Sequence, residues 1–456
     1  MTNNYNLILR LNLSLLLVLA TLAAIFLIEG QNYILLSILF VCQFFLMRPK
    51  FILEPLTVIH AFYALYIVVP STLVFGFFVF DIPYQLSWVE EKANKWLHLS
   101  DTLAFHFTIS VSFFIAFLYF AQANFSLTVE QRKQVVARLG QKINPLMSRV
   151  FMLSFVLWAL TVYLFFKMGG PEAWFSEYSA TFLEGRSGLG AVIYIALILS
   201  KIVFFSFGLI LYKRIRYRRL ILIYVLGLIL FFGFVNGFKS NVMISLLLLA
   251  FPYLFIIPLK LHTLIKATGV FFILLFLLSY VRTGGYYSSL FLEMLIAYFD
   301  TVLLHDMILS DWQGMSVFSS FWGANKWLAY LSSSFQDRPA DLSIFLTQLY
   351  FPESWYNESA TFQWPIQTEI YLNYGNGFFQ FIPLMLLAFY WGGIRALQGQ
   401  SRFDLAAHLI FVLETIRVFT VLRSVMLHYE LPVIIFTYVF IFIFFYVRFK
   451  TTQDIR

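Results

Sequence analysis

The sequence predicts an all-α, polytopic integral membrane protein with about twelve transmembrane helices and one large loop late in the chain. Composition is the first reason: 61% of the residues are hydrophobic and 12% are charged, and the mean hydropathy is +0.82. A soluble protein carries about 25% charged residues. The second reason is that apolar runs of about 18–22 residues recur from end to end, and each can cross a hydrocarbon core of roughly 30 Å.

The apolar runs divide the chain into three parts. Residues 1–281 hold about nine predicted spans, residues 282–374 form a large loop that we expect to contain surface-lying helices, and residues 375–456 hold about three more spans. The first run is expected to remain as a span, because no small-residue cleavage site and soluble domain follow it. The predicted spans are 7–28, 31–47, 52–79, 101–121, 149–168, 189–212, 220–236, 241–258, 263–281, 375–394, 405–427 and 431–448.

Basic residues indicate the orientation. An even number of predicted spans separates each basic cluster from the next, so all the clusters and both termini can be cytoplasmic together. The net charge of +8 therefore reflects membrane orientation and does not indicate a nucleic-acid partner. The single Cys42 excludes an internal disulfide and a cysteine zinc site. The clusters lie at 48–50, 132–142, 213–219, 260–266, 395–402 and 448–456.

Four cations on the opposite, outer face are candidates for an anion site. Arg186, Lys239, Arg282 and Arg423 lie at or just inside predicted helix ends, beside glycine or serine. Charge at that depth is costly and usually faces a polar cavity, and arginine binds phosphate in a bidentate fork. The alternatives are snorkelling to the interface and pairing with loop carboxylates.

The sharpest local pattern is WPIQTEIYLNYGNGF at 364–378. Pro365 can begin a helix, and the i, i+4 spacing puts Glu369 and Asn373 on one face of it. A carboxylate at the membrane surface could act as general base on a hydroxyl. The alternative is that Glu369 caps or solvates the helix end.

Two further groups of charged residues favour structural roles. Asp300, His305, Asp306 and Asp311 lie in an amphipathic stretch that is expected to rest on the membrane surface, with its acids in water, rather than to bind a metal. Glu414 and Arg417 are three residues apart inside a span and can pair there.

Several of these segments carry a family resemblance. The chain resembles the Wzy-type repeat-unit polymerases of bacterial O-antigen and capsular polysaccharide, in its general layout and in five short motifs. Many members have Arg where this chain has Lys239. The motifs are RSG at 186–188, NGFKSN at 236–241, VRTGG at 281–285, the 364–378 segment, and LRS at 422–424.

The resemblance implies a glycosyl transfer at the periplasmic face of the bacterial inner membrane, without metal or cofactor. The glycan of an undecaprenyl-pyrophosphate-linked oligosaccharide would move onto the next lipid-linked repeat unit, with membrane lipids and a chain-length regulator as partners. Cations would stabilise the pyrophosphate leaving group, and a carboxylate would accept the proton of the sugar hydroxyl, first Glu369 and second Glu358. Arg282 counts as a catalytic residue. The expected pyrophosphate or glycan contacts are Arg186, Lys239, Arg282, Arg338, Arg423, Asn373, Trp364 and Tyr356.

Trp364 and Tyr356 could instead belong to an aromatic belt at the membrane interface. Two other functions also remain open. An O-antigen ligase, which transfers finished glycan to lipid A-core, would need a catalytic histidine in the late loop, where His305 is the only one. A flippase or transporter of the lipid-linked units would typically show internal repeats and short loops on both faces. The sequence shows no repeat, and its loops are very unequal.

Overall fold

The computed structural model describes the chain in segments. Helices dominate them, and in these segments extended pairing is limited to one isolated bridge, between Phe51 and Pro258. The described residues are 2–123, 127–176, 181, 185–186, 188–213, 217–236, 238–283, 285, 290–312, 319, 322–329, 332–335, 338–339, 341–358, 361–375, 377–394, 404–423 and 431–446.

The helices follow one another with short connections. In chain order they are α1 (Thr2–Leu27), α2 (Asn32–Leu46), α3 (Pro55–Tyr63), a π-helical segment (Ala64–Val68), α4 (Val69–Val79), α5 (Ser87–Leu97), α6 (Asp101–Ala123), α7 (Val129–Ile143), α8 (Met147–Lys167), α9 (Gly170–Ser176), α10 (Gly190–Tyr212), α11 (Arg218–Asn236), α12 (Phe238–Ile256), α13 (Leu261–Thr283), α14 (Phe291–Tyr298), α15 (Thr301–Asp311), α16 (Gly323–Leu328), α17 (Leu342–Tyr350), α18 (Pro352–Glu358), α19 (Ile366–Tyr374), α20 (Phe381–Ile394), α21 (Asp404–Leu422) and α22 (Leu431–Tyr446).

Seven helical stretches in the described segments are long and apolar enough to cross a membrane, which agrees with the predicted all-α membrane class. Shorter apolar helices occupy the positions of the other predicted spans, so a total of twelve spans stays a prediction. The long stretches are Tyr5–Leu27, Pro55–Val79, Asp101–Ala123, Val129–Lys167, Gly190–Tyr212, Arg218–Asn236 and Asp404–Leu422. The shorter ones are Asn32–Leu46, Ser240–Ile256, Leu261–Leu277, Phe378–Ile394 and Leu431–Tyr446.

The basic segment at 132–142, which we expected to be a loop, is the amphipathic helix α7. The Arg132 guanidinium is fully buried and pairs with Glu54 at 2.9 Å. It lies 3.6 Å from the Phe51 ring centroid and 4.5 Å from that of Phe255. Removing two charges from water is costly, and the two rings help to offset that cost. Arg132 thus fixes α7 against the ends of α3 and α12.

Connections that are predicted to lie on the same face of the membrane contact one another at several points. On the predicted cytoplasmic side, the Leu259 amide donates to the Lys50 carbonyl at 2.9 Å. Arg138 and Lys142 both pair with the buried Asp404, at 2.6 and 3.0 Å.

On the predicted outer side, the first loop is bonded to the late loop. The Glu293 carboxylate accepts hydrogen bonds from the backbone amides of Gln85 and Leu86 at 3.1 Å. Lys92 of α5 pairs with Asp300. The late loop is therefore anchored to the membrane part at several points and packs on α4 and α5 through α14.

A π-helical segment interrupts the long helix formed by α3 and α4, and Pro70 supplies the physical reason. Proline has no amide hydrogen, and its ring crowds the carbonyl four residues earlier, which here belongs to Tyr66. The Val69 amide accordingly bonds to the Ala64 carbonyl, five residues back. Such wider turns are frequent at functional sites.

The membrane part and the late loop each contain a hydrophobic core cluster. The larger cluster runs through the spans, from Ile25 to Phe445, and also includes late-loop residues such as Leu295, Phe299 and Ile370. The smaller one belongs entirely to the late loop and consists of Leu304, Ile308, Leu342, Leu346, Trp364 and Leu372. The loop is therefore a packed substructure, which can hold side chains in fixed positions.

Candidate functional site

Helix α19 is the central element of the late loop. It begins after Pro365, as predicted, and ends at Gly375, whose φ of 66° is favourable only for glycine. Gln367, Thr368 and Glu369 are each 0% exposed. The alternative in which Glu369 solvates the helix end does not agree with this burial.

The polar side chains of α19 bond to the membrane part and to α15. The Gln367 amide donates to the Tyr63 hydroxyl at 2.7 Å. Thr368 Oγ1 lies 3.0 Å from His305 Nδ1, and His305 Nε2 lies 3.0 Å from His106 Nδ1. A continuous buried network thus joins α6, α15 and α19.

Glu369 and Asn373 lie on one face of α19, as their spacing predicted, and both side chains are buried. Asn373 Oδ1 accepts a hydrogen bond from the Ser319 amide at 2.6 Å, which ties α19 to the loop. Glu369 can act as a base only if a sugar hydroxyl reaches a carboxylate that this conformation encloses completely.

The interpretation of the 300–311 stretch as a helix resting on the membrane surface is wrong. His305 is fully buried, and burial, followed by the nearby His106, lowers its pKa well below 6.5. Asp300 pairs with Lys92 and Asp306 bonds to the Ser100 hydroxyl. Burial raises the pKa of Asp306, and the bond from Ser100 partly offsets this. This helix is buried because it packs on α6 and α19.

The described residues contain no cluster of three or more His, Cys, Asp or Glu side chains that could hold a metal ion.

Arg423, just after α21, is one of the four cations predicted to lie on the outer face. Its guanidinium carbon lies 5.9 Å from the Tyr298 ring centroid. Its Nε is buried without a hydrogen-bond partner, and no carboxylate of the described segments forms an ion pair with it. Arg417, six residues earlier, contrasts with it, because Arg417 pairs with Glu414 at 3.0 Å, as predicted.

Arg186 lies beside the end of α11, which is three residues before Lys239 in the sequence. Arg186 Nη2 donates to the carbonyl of Asn236, the last residue of α11, at 2.9 Å. The structure therefore brings two of the four predicted cation segments together. The side chains of Lys239, Arg282 and Glu358 lie outside the described residues, so their predicted roles stay predictions.

The predicted glycan contacts differ greatly in accessibility. Arg338 is exposed, and Tyr356 is 73% exposed. Trp364 is 1% exposed and packs against Tyr350 and Phe351 in the loop core. Trp364 therefore offers neither a stacking face for a sugar nor an interfacial anchor in this conformation.

Sequence reasoning missed three residues that the structure places beside these groups: Tyr63, Tyr66 and His106. All three lie in predicted spans, where intramembrane histidine is rare and a reason to suspect function. Two features of the sequence could have indicated these residues: a histidine at position 106 inside a predicted span, and Pro70 shortly after Tyr66.

Comparisons with known proteins add no assignment. No protein-family model matches the chain, no curated protein matches it, and no solved structure matches it. The functional argument therefore rests on residues and geometry.

Proposed function

We propose that this protein polymerises undecaprenyl-pyrophosphate-linked oligosaccharide repeat units into O-antigen or capsular polysaccharide at the periplasmic face of the bacterial inner membrane. The observation that carries the proposal is Arg423. A half-buried guanidinium at a helix end, with no carboxylate partner in the described segments, is suited to a phosphate group brought by a substrate.

The loop architecture supports the same function. A donor and an acceptor glycan require a surface outside the lipid, and the late loop provides a packed one with exposed Arg338 and Tyr356. Arg186 and the segment of Lys239 supply a second cationic region on the same predicted face. In this proposal the cations hold the pyrophosphate as negative charge develops on it, and Glu369 accepts the proton of the acceptor hydroxyl. A chain-length regulator is the protein partner that we propose.

The test is a glycan ladder on a gel, from cells carrying Arg423→Ala or Glu369→Gln at matched expression. Removing a group that stabilises the developing charge costs about 100-fold or more in rate, so we expect the ladder to collapse to a single repeat unit on the lipid A-core. Lys95→Ala is the control, because Lys95 is an exposed outer-face cation paired with Glu91 at 2.8 Å. It should leave the ladder intact.

The same gel separates the competing functions. Long glycan that forms but stays on the lipid carrier would favour an O-antigen ligase. Loss of all surface glycan, with repeat units accumulating on the cytoplasmic side, would favour a flippase. An unchanged ladder in both variants would contradict the assignment of these residues.

A further inference from the structure

Tyr66 is a buried tyrosine whose hydroxyl has no hydrogen-bond partner. Its side chain is 1% exposed, and its ring packs against Phe62, Phe299 and Phe419. The hydroxyl finds no donor or acceptor in the described part of the chain. Leaving a buried hydroxyl unsatisfied destabilises a protein, so a position used only for packing would favour phenylalanine. The chain uses 56 phenylalanines elsewhere.

The Tyr66 ring and the Arg423 guanidinium approach the same aromatic pair. The Tyr66 ring centroid lies 5.1 Å from that of Phe299, and the guanidinium carbon of Arg423 lies 5.9 Å from the ring centroid of the adjacent Tyr298. Phe419, whose ring centroid lies 6.1 Å from that of Tyr66, precedes Arg423 by four residues. The buried Nε of Arg423 is unsatisfied within the described chain. Two groups that can donate hydrogen bonds, a neutral hydroxyl and a guanidinium, therefore share one region and lack an acceptor.

The backbone around Tyr66 explains how this arrangement arises. Pro70 forces the wider π-helical turn at Ala64–Val68, which changes the direction of Tyr66 relative to a regular helix. The position of Tyr66 thus depends on a helical irregularity of the kind that is common at functional sites. Tyr66 belongs to the third predicted span and Arg423 to the eleventh.

We infer that Tyr66 and Arg423 form one anion-binding subsite, in which the Tyr66 hydroxyl donates to one oxygen of a bound group and the Arg423 guanidinium pairs with its negative charge. Burial makes charge-assisted hydrogen bonds of this kind strong. The anion subsite stands on the geometry alone. That its ligand is the pyrophosphate of a lipid carrier rests on the proposed function.

The experiment measures binding to the purified full-length chain in detergent, with inorganic pyrophosphate and farnesyl pyrophosphate as probes and farnesol as the phosphate-free control. Tyr66→Phe removes only the hydroxyl. A hydrogen bond to a charged group accounts for about tenfold or more in affinity, so we expect Tyr66→Phe and Arg423→Lys each to weaken probe binding by about that factor. Without probe, the thermal midpoint of Tyr66→Phe should equal or exceed that of the native chain.

Two matched variants exclude general damage. Tyr438→Phe removes a hydroxyl that is already bonded to Glu414, and Arg417→Lys alters a paired arginine of the same helix. Both should keep native probe affinity, and Tyr438→Phe should lower the thermal midpoint.

Each outcome decides the inference. If both pyrophosphates bind, and binding depends on Tyr66 and Arg423, the result supports a general phosphate subsite. If only farnesyl pyrophosphate binds, with the same dependence, the result supports a subsite specific for lipid-borne phosphate. Equal affinity in native chain and Tyr66→Phe, or binding of farnesol as tight as that of its pyrophosphate, overturns it. Tyr66-dependent binding with an unchanged glycan ladder in Arg423→Ala would retain the subsite and reject the polymerase function.

Discussion

At the scale of single residues, the environment of a charge distinguishes a structural role from a binding role. Arg132, Arg138 and Arg417 are half-buried or buried, and each is paired with a carboxylate. Breaking a buried pair leaves an uncompensated charge, which is strongly destabilising, so these arginines stabilise the fold. Arg423 has no such partner within the described chain and remains available to a ligand.

His305 leads to a prediction of pH dependence. Burial lowers its pKa well below 6.5, whereas an exposed histidine in the unfolded chain has a pKa of about 6.5. Between these two values the unfolded chain binds the extra proton. The stability contributed by His305 is therefore present above pH 6.5 and is lost as the pH falls towards the folded pKa, by up to about 1.4 kcal/mol per pH unit.

The measurement is the thermal midpoint of the native chain and of His305→Gln between pH 4.5 and 7.5. Asp306 has a raised pKa and acts in the opposite direction, and the difference between the two proteins removes its contribution. We expect the native midpoint to fall more steeply below about pH 6.5. Parallel curves would show that His305 does not remain neutral in the folded chain.

At the scale of elements, close helix packing depends on glycine at specific contacts. A Cβ on Gly208 of α10 would lie 2.5 Å from the Leu249 carbonyl oxygen and 2.9 Å from that of Leu248. Pro252 of α12 cannot donate to the Leu248 carbonyl, so α12 is irregular where α10 approaches. In membranes, small residues permit such close backbone contact.

Gly208→Ala should therefore lower the unfolding free energy by about 1–3 kcal/mol, because the methyl group meets backbone rather than a flexible side chain. Gly227→Ala is the matched control, since a Cβ there meets nothing within 4 Å. It should be neutral or slightly stabilising, as alanine favours helix more than glycine does. Thermal unfolding of both variants in detergent checks this, and equal midpoints would contradict the close contact.

At the scale of the whole molecule, the connections that contact one another are those predicted to lie on the same face. Pairs such as Lys92 with Asp300, and Arg138 with Asp404, join segments that are distant in sequence. These contacts agree with a chain whose connections alternate between two faces of the membrane. The side on which each connection lies can be tested directly.

Single cysteines in a Cys42→Ser background should report the orientation. Tyr356 and Glu130 are both exposed. In spheroplasts, a membrane-impermeant maleimide should label Tyr356→Cys, whereas Glu130→Cys should react only after lysis. The opposite result would invert the orientation, and labelling of both from outside would contradict the proposed span arrangement.

The polar helix α19 shows how far local sequence patterns reach. Pro365 as its start and the shared face of Glu369 and Asn373 followed from short-range rules of helix geometry. The burial of that face did not, because it depends on His305 and Tyr63, which come from distant parts of the chain. The same reason explains why the amphipathic pattern at 300–311 was assigned to a membrane surface: the pattern does not say what covers its apolar face.

By itself the sequence predicted an all-α membrane class and the positions of the apolar helices, with which the seven long apolar helices of the described segments agree, because these features depend on composition and on the length of apolar runs. It also determined the Glu414–Arg417 pair, which lies within one helix turn. Only the tertiary structure decided which cations are paired, that Trp364 belongs to a core, and that Tyr66 and Arg423 approach the same aromatic pair, Phe299 and Tyr298. Those outcomes depend on packing between residues that are far apart in the sequence. A local pattern does not indicate which distant residue will lie beside a buried hydroxyl or charge, and therefore whether that group has a partner.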